Sequence, residues 1–364
     1  MWDLAVREED YEAADAFARR YHGTPPLSMR LLVALARGDS AAKAELLAEA
    51  RQAENRQLQI AARFVATYLG DLVLAEELAR LDLQWRRGPP LRADAQLLLG
   101  WLELARGRWS GARAEFTQAA RMEGAVDVPV HRAIGATLPL LAVPRADLVA
   151  IRDEVLRWNG SAPGGPPGLA LALRPHLRLY LLGLLSSRLG DEDAARRYAG
   201  ELERHPAPAP GAAIGRDLAR TVRADVAWRR QRPAEVLAIV DSLEVHVPLE
   251  LVAVPRFVNL RGYTHEHARY LRAAALQAVG EDREALRWLQ TGFLGAPNEF
   301  AYFAPLHLGR GEIYQRLSEP EKAAEEYARL VKLWEACDPE LRAVVDDVRG
   351  RLGRLTAGGD VPGR

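Results

Sequence analysis

Several short stretches of the chain bring nucleophilic, metal-ligating or charged side chains together at spacings that chemistry could use. Ser40-Ala41-Ala42-Lys43 has the spacing of a serine–lysine nucleophile, in which a lysine one turn on takes the serine proton. The other motifs of that chemistry are absent, so Ser40 reads as a helix N-cap and Lys43 as a solvated cation. His265-Glu266-His267 suggests a metal cluster, but residues two apart on a helix point in different directions and do not share one ion. Thr264 reads as the N-cap of that helix. Cys337, the sole cysteine, has no neighbouring histidine or basic group to activate it and reads as partly buried. Gly309-Arg310-Gly311 lacks the third glycine and the preceding strand of a dinucleotide site. Asn159-Gly160-Ser161 spells a glycosylation acceptor with no secretion signal to support it. Arg37-Gly38-Asp39 reads as a turn. Arg229, Arg230 and Arg232 could touch an anion or form a solvated corner, and Glu325-Glu326 reads as helix-face charge among basic residues. No catalytic, cofactor or metal site emerges, and the chain reads as a non-enzyme.

The bulk composition narrows the class further. Of 364 residues, 49 are basic and 49 acidic, and zero formal net charge counts against wholesale binding to phosphate backbones. Lysine occurs only at Lys43, Lys322 and Lys332. Because the arginines lie along whole helices rather than in one patch, codon bias explains them better than bidentate anion recognition. A single cysteine excludes an internal disulfide. Met1-Trp2-Asp3-Leu4 does not open a signal peptide, and the most apolar stretch, 169–185, is interrupted by Arg174, His176 and Arg178. The expectation is a soluble, cytoplasmic chain with no membrane span.

The elements that would position any site recur. Six times a turn is followed by an acidic or polar residue and then, a helical step on, a small one. These are Gly38-Asp39-Ser40…Ala42, Gly70-Asp71…Ala75, Gly107-Arg108…Ala112, Gly190-Asp191…Ala195, Gly280-Glu281…Ala285 and Ser318-Glu319…Ala323. Each sits between two apolar segments of helical spacing and so marks the corner of a helical hairpin. Weaker corners fall near Pro144 and Gln231. The fold expected is all-α: an α-solenoid of stacked antiparallel hairpins, about eight degenerate units with a C-terminal capping helix. That helix runs from Pro339 to Leu355, with Leu341, Val344, Val345, Val348 and Leu352 on one face, and is expected to cover Leu330 and Trp334.

The best-formed unit spans about 92–124. Gly100, Ala112 and Ala119 take small positions, Leu99 and Phe116 large ones, and Gly107-Arg108-Trp109 the corner. It resembles the tetratricopeptide repeat, with Glu103 where that family usually carries an aromatic. Similar sets follow at Gly183, Ala195 and Tyr198; at Ala273, Ala285 and Leu289; and at Gly311, Tyr314, Ala323, Tyr327 and Leu330. The resemblance implies a right-handed superhelix. Between the units, Asn159–Gly168 and His205–Gly211 are rich in Gly and Pro, and Val245–Gly262 reads as an irregular connection. The division expected is a sub-array over 1–158, a linker over 159–168, a second sub-array over 169–356 and a tail over 357–364. At the front, Tyr11-Glu12-Ala13-Ala14 reads as a second helix preceded by half a first one, as if the chain began inside a repeat.

From about Arg220 to Leu355 the text is more specific. Arg223-Ala224-Asp225, Arg232-Pro233-Ala234-Glu235, His267-Ala268-Arg269-Tyr270-Leu271-Arg272-Ala273 and Ala304-Pro305-Leu306-His307-Leu308-Gly309-Arg310 come in order. Tyr327 to Trp334 and Asp338-Pro339-Glu340-Leu341 close the series. It resembles the C-terminal tetratricopeptide region of bacterial serine/threonine protein kinases and related regulators. No kinase motif accompanies it. The resemblance implies a sensing or docking arm without its catalytic domain.

In such arrays the first helices line the concave face, which the pattern assigns to Leu97, Trp101, Leu104, Tyr180, Arg188, Tyr270, Gln277, Glu312 and Arg316. Aromatic and arginine side chains suit capture of a peptide or protein partner. The lysine, asparagine and arginine set with which some family members clamp a peptide carboxylate is not reproduced.

Overall fold

The computed structural model describes residues 5, 10–20, 24–52, 58–85, 89–123, 127–158, 169–207, 211–245, 265–290 and 299–358. The expected linker 159–168, Thr264, most of the 245–262 connection and the tail from 359 lie outside them. Among the described residues the chain is helical, with no strand. The chain divides into two compact units, Met1–Glu103 with Gly111–Val126, and Leu104–Ser110 with Asp127–Arg364.

The first unit holds α1 (Tyr11–Arg19), α2 (Leu27–Ala36), α3 (Ser40–Gln52), α4 (Leu58–Phe64, prolonged by a π-helical turn, Val65–Leu69) and α5 (Leu72–Trp85). Most of α6 (Pro89–Ala105) and α7 (Trp109–Ala120) also belong to it. α2 packs on its own partner α3 and on the next first helix, α4. Gly100 is where α6 and α7 approach: a Cβ there would collide with the ring of Phe116. Glu103, the departure from the aromatic pattern, folds its carboxylate over Gly111, where any side chain would strike it.

The second unit continues with α8 (Val128–Thr137), α9 (Arg145–Arg157), α10 (Arg174–Leu189), α11 (Glu192–Arg204), α12 (Ala212–Arg229), α13 (Pro233–Val240), α14 (Glu266–Ala278), α15 (Asp282–Gln290), α16 (Phe303–Arg316), α17 (Pro320–Leu333) and α18 (Arg342–Gly358). Each first helix packs on its hairpin partner and on the next first helix, in the series α8, α10, α12, α14, α16. That double contact is the stacking rule of an α-solenoid.

One residue in left-handed backbone turns each corner: Gly38, Gly70, Gly107, Leu140, Gly190, Gln231, Gly280 and Ser318. At Gly38, Gly190, Gln231, Gly280 and Ser318 the next N–H then reaches back to the carbonyl five residues earlier in a Schellman closure. Asp191 N–Ser186 O, Glu281 N–Leu276 O and Glu319 N–Tyr314 O are each 2.9 Å. The aspartates at 39, 71 and 191 cap the second helix, each Oδ1 accepting from the N–H three residues on. Five residues past the corner, Ala75, Ala112, Ala195, Val236, Ala285 and Ala323 are all fully buried, because the helices cross there.

Left-handed backbone costs a residue with a Cβ roughly 1 kcal/mol that glycine avoids. Ser318→Gly is therefore expected to raise stability by about 0.5–1 kcal/mol in urea melts. Gly280→Ala, with open space around it, should lower stability by a similar amount. A Ser318→Gly protein less stable than the parent would contradict this reading of the corners.

The last helix packs on α17. Leu341, Val345 and Val348 are buried in the α17–α18 region as expected, with a 3-10 turn at Pro339–Leu341 opening the segment. Trp334, however, does more than sit beneath the cap. Its Nε1 donates to Ala105 O at 3.1 Å, and Asp338 N donates to Gly107 O at 3.1 Å. Asp338 also caps α7, accepting from Ser110 N at 3.0 Å and from Ser110 Oγ at 2.7 Å. Gly107 lies beneath Leu341, Cys337 and Trp334. Cys337 is buried there, and burial pushes its thiol pKa up, away from reactivity.

Candidate interaction site along the first helices

The first helices carry a ladder of polar contacts. Asp225, on α12, accepts from Ser187 Oγ of α10 at 2.6 Å and from Arg229 Nε at 2.8 Å, and lies 2.8 Å from His267 Nε2 of α14. Burial alone would raise its pKa. The hydrogen bond and charge of His267, the Arg229 charge and the Ser187 hydroxyl outweigh that and hold the carboxyl well below the usual range. A serine, a histidine and an aspartate meet here in the wrong order for nucleophilic catalysis. The carboxylate bonds both of the others, and Ser187 Oγ donates to it rather than to an imidazole. A second rung joins α14, α16 and α18, where Glu312 accepts from Gln277 Nε2 at 2.8 Å and Arg351 Nη1 at 3.1 Å.

Beside the first rung lies a cavity of about 1120 Å³. Its wall comes from the α8–α9 corner with Pro139, Leu140 and Leu141, from Ser187 and Arg188, from Asp225, Trp228 and Arg229, and from His267, Tyr270 and Leu271. Arg188 donates from Nη1 to Leu138 O at 2.9 Å and from Nη2 to Leu141 O, so it fastens the corner. Burial, with the Arg229 charge adding to it, lowers the Arg188 pKa to about 10. Leu140 holds φ at 66° and keeps its side chain 37% exposed, a left-handed apolar residue in a place where glycine would be easier. His267 is 6% exposed, and its Nδ1 has no hydrogen-bond partner.

The residues assigned from sequence divide into groups. Arg188 and Tyr270 line the cavity, and Gln277 and Glu312 meet each other. Tyr270 is buried enough to push its phenol up to about 12, with Glu312 adding to the shift. Arg316 is committed to a two-pronged pair with Asp282, at 2.8 and 2.5 Å. Tyr180, 3% exposed, lies in the core, and burial raises its phenol pKa. Leu97, Trp101 and Leu104 are buried too, with Trp101 edge-on to Phe116 at 6.1 Å and Leu104 beneath Gly135. Neighbouring side chains cover these four, so the expectation that they present open surface is corrected.

Sequence reasoning missed other members. Ser187 carried no signal, and Asp225 stood inside a quoted string with no role. Arg229, Arg230 and Arg232 do not form one cluster: they pair with Asp225, Glu192 and Glu235 respectively. Glu326, expected on a solvated face, is buried against His307 Nδ1 at 2.6 Å with Arg310 and Arg329 nearby. Burial raises its pKa, but the His307 hydrogen bond and the Arg310 charge outweigh that and leave it lowered. Among the described residues no group of three or more His, Cys, Asp or Glu is placed to hold a metal ion, and no helix is long and apolar enough to cross a membrane.

These groups set a pH dependence. Burial lowers the pKa of His176, His265 and His307, so the unfolded chain takes up their protons first, and stability falls as pH drops below about 6.5. Asp225 and Glu326 titrate lower when folded than when unfolded. Their contribution is present above about pH 4 and is lost as pH falls further. Melting temperature is expected to decline in these two stages, and Asp225→Asn should shrink the second one. An unchanged acid limb in that variant would contradict the Asp225 assignment.

Helical hairpins that pack on their partners and on the next first helix make this an all-α, solenoid-type repeat protein. The chain is similar to a tetratricopeptide repeat protein from Parabacteroides merdae ATCC 43184 of known crystal structure, with 17% identity over 82% of this chain and 98% of that one, and a TM-score of 0.37. No family model matches the chain. No curated protein matches it either.

Proposed function

We propose that this chain is a non-enzymatic, tetratricopeptide-like scaffold that holds a peptide or protein partner along its first helices, at the cavity between α8, α10, α12 and α14. The observation that carries this reading is the cavity itself. It spans four successive hairpins, is sized for several residues of a peptide, and presents an exposed Leu140 in strained, left-handed backbone. Strained backbone persists where the surroundings enforce it and clusters at binding sites.

Peptides selected by display on the full chain and titrated by fluorescence anisotropy test the proposal. Leu140→Gly should fold with an equal or higher melting temperature, yet bind the selected peptide about 5–30-fold more weakly. Tyr270→Ala should also weaken binding on that scale. Tyr180→Ala should act on stability instead, by about 3–4 kcal/mol, as for a buried aromatic. Unchanged affinity in both cavity variants would overturn the proposal.

The ordered series over 220–355 supports a narrower reading, a docking arm of a kinase-type bacterial regulator. Asp225, His267, Arg269, His307 and Arg310 of that series all take part in ion pairs or polar contacts inside the second unit. A kinase or regulator gene directly adjacent would favour it, and unrelated neighbours would count against it.

A further inference from the structure

Two guanidiniums of the cavity wall share one carboxylate. Arg188 and Arg229 both line the cavity, and the carboxylate of Asp225 is shared among Arg229, His267 and Ser187. Glu192 lines the cavity too, and is already engaged by Arg230 and Arg196. Arg188 is bonded only to two neutral carbonyls, Leu138 O and Leu141 O. The Asp225 charge also acts on this largely buried guanidinium, but burial and the Arg229 charge outweigh it. Arg188 and Arg229 thus have the one Asp225 carboxylate between them, next to the apolar face of Leu140, Leu141 and Trp228.

From this sharing, and resting on the partner-binding reading above, we infer that the cavity recognises a peptide segment in which a single carboxylate side chain, Asp or Glu, flanks a large apolar residue. The carboxylate seats beside Arg188 and the outer guanidinium edge of Arg229, and the apolar side chain packs against Leu140 and Trp228. One further carboxylate gives each of the two guanidiniums an anion of its own. A cavity of about 1120 Å³ is too large to be filled by a small free anion and suits a run of residues.

The experiment uses the full chain and a displayed library of random dodecapeptides. Enriched peptides should carry Asp or Glu next to Leu, Phe, Trp or Tyr. The strongest binder is then synthesised with its acid as Glu, as Gln and as phosphoserine, and each form is titrated by anisotropy. The Gln form should bind at least about tenfold more weakly than the Glu form, the scale of a charge-assisted pair. On Arg229→Gln that gap should narrow to about threefold or less. Because Arg188 also fastens the corner, Arg188→Lys serves as its variant: it keeps the charge, and the Glu preference should survive in it. Enriched peptides with no acidic bias, or equal binding of Glu and Gln forms, would overturn the inference while leaving the cavity as a binding site. Tighter binding of the phosphoserine form would replace the carboxylate with a phosphate. No enrichment at all would sink both readings.

Discussion

Asp225→Ala is expected to cost about 3–5 kcal/mol of folding stability, the scale for breaking a buried charged network by removing one partner. Asp225 is 2% exposed and joins three first helices, with Ser187 at 2.6 Å, Arg229 at 2.8 Å and His267 at 2.8 Å. Alanine would leave a buried hydroxyl, an imidazole and a guanidinium edge without their acceptor. Replacing the outlying partners should cost less, about 1 kcal/mol for Ser187→Ala. The double variant Asp225→Ala with His267→Ala should cost less than its two single variants added together, because both remove one contact. Urea unfolding of this set measures all four quantities. A cost below about 1 kcal/mol for Asp225→Ala would mean that the rung does not hold α10, α12 and α14 together.

Trp334→Ala should cost about 3–5 kcal/mol, as for a large buried aromatic. Trp334 is 1% exposed, lies over Gly107 and donates to Ala105 O at 3.1 Å. Trp334→Phe keeps most of the ring packing but leaves that carbonyl without its indole donor, so a loss of about 1–2 kcal/mol is expected. Asp338→Ala removes the cap on Ser110 N and Ser110 Oγ and should cost about 1 kcal/mol. If Trp334→Ala proved nearly neutral, the indole would be packing loosely and the 334–341 segment would not be anchored on the 105–110 corner.

The hairpins were legible in the sequence because their signals are local. A left-handed corner calls for Gly, and the buried small residue follows at a fixed offset, as at Gly107 with Ala112 and Gly190 with Ala195. The α8–α9 corner was harder to place. Leu140 occupies the left-handed position, leucine gives no hint of it, and the corner was expected nearer Pro144. Helical spacing put Tyr180 and Tyr270 on one face, but exposure depends on what neighbouring helices lay over that face. Tyr270 reaches the cavity and Tyr180 does not. The Asp225 rung joins residues 38 and 42 positions apart, beyond any local pattern. The two histidines of His265-Glu266-His267 differ in just this way: His267 bonds to Asp225 across the helices, while His265 is buried with neither ring nitrogen partnered.

The central claim is that a partner lies along the first helices of the second unit. Hydrogen exchange by mass spectrometry, with and without the tightest display-selected peptide at saturation, tests it most directly. Slowed exchange is predicted in segments 137–143, 186–190, 225–231 and 266–278, with the second helices α11, α13 and α15 little changed. Slowing confined to those second helices, or to the first unit, would contradict the account.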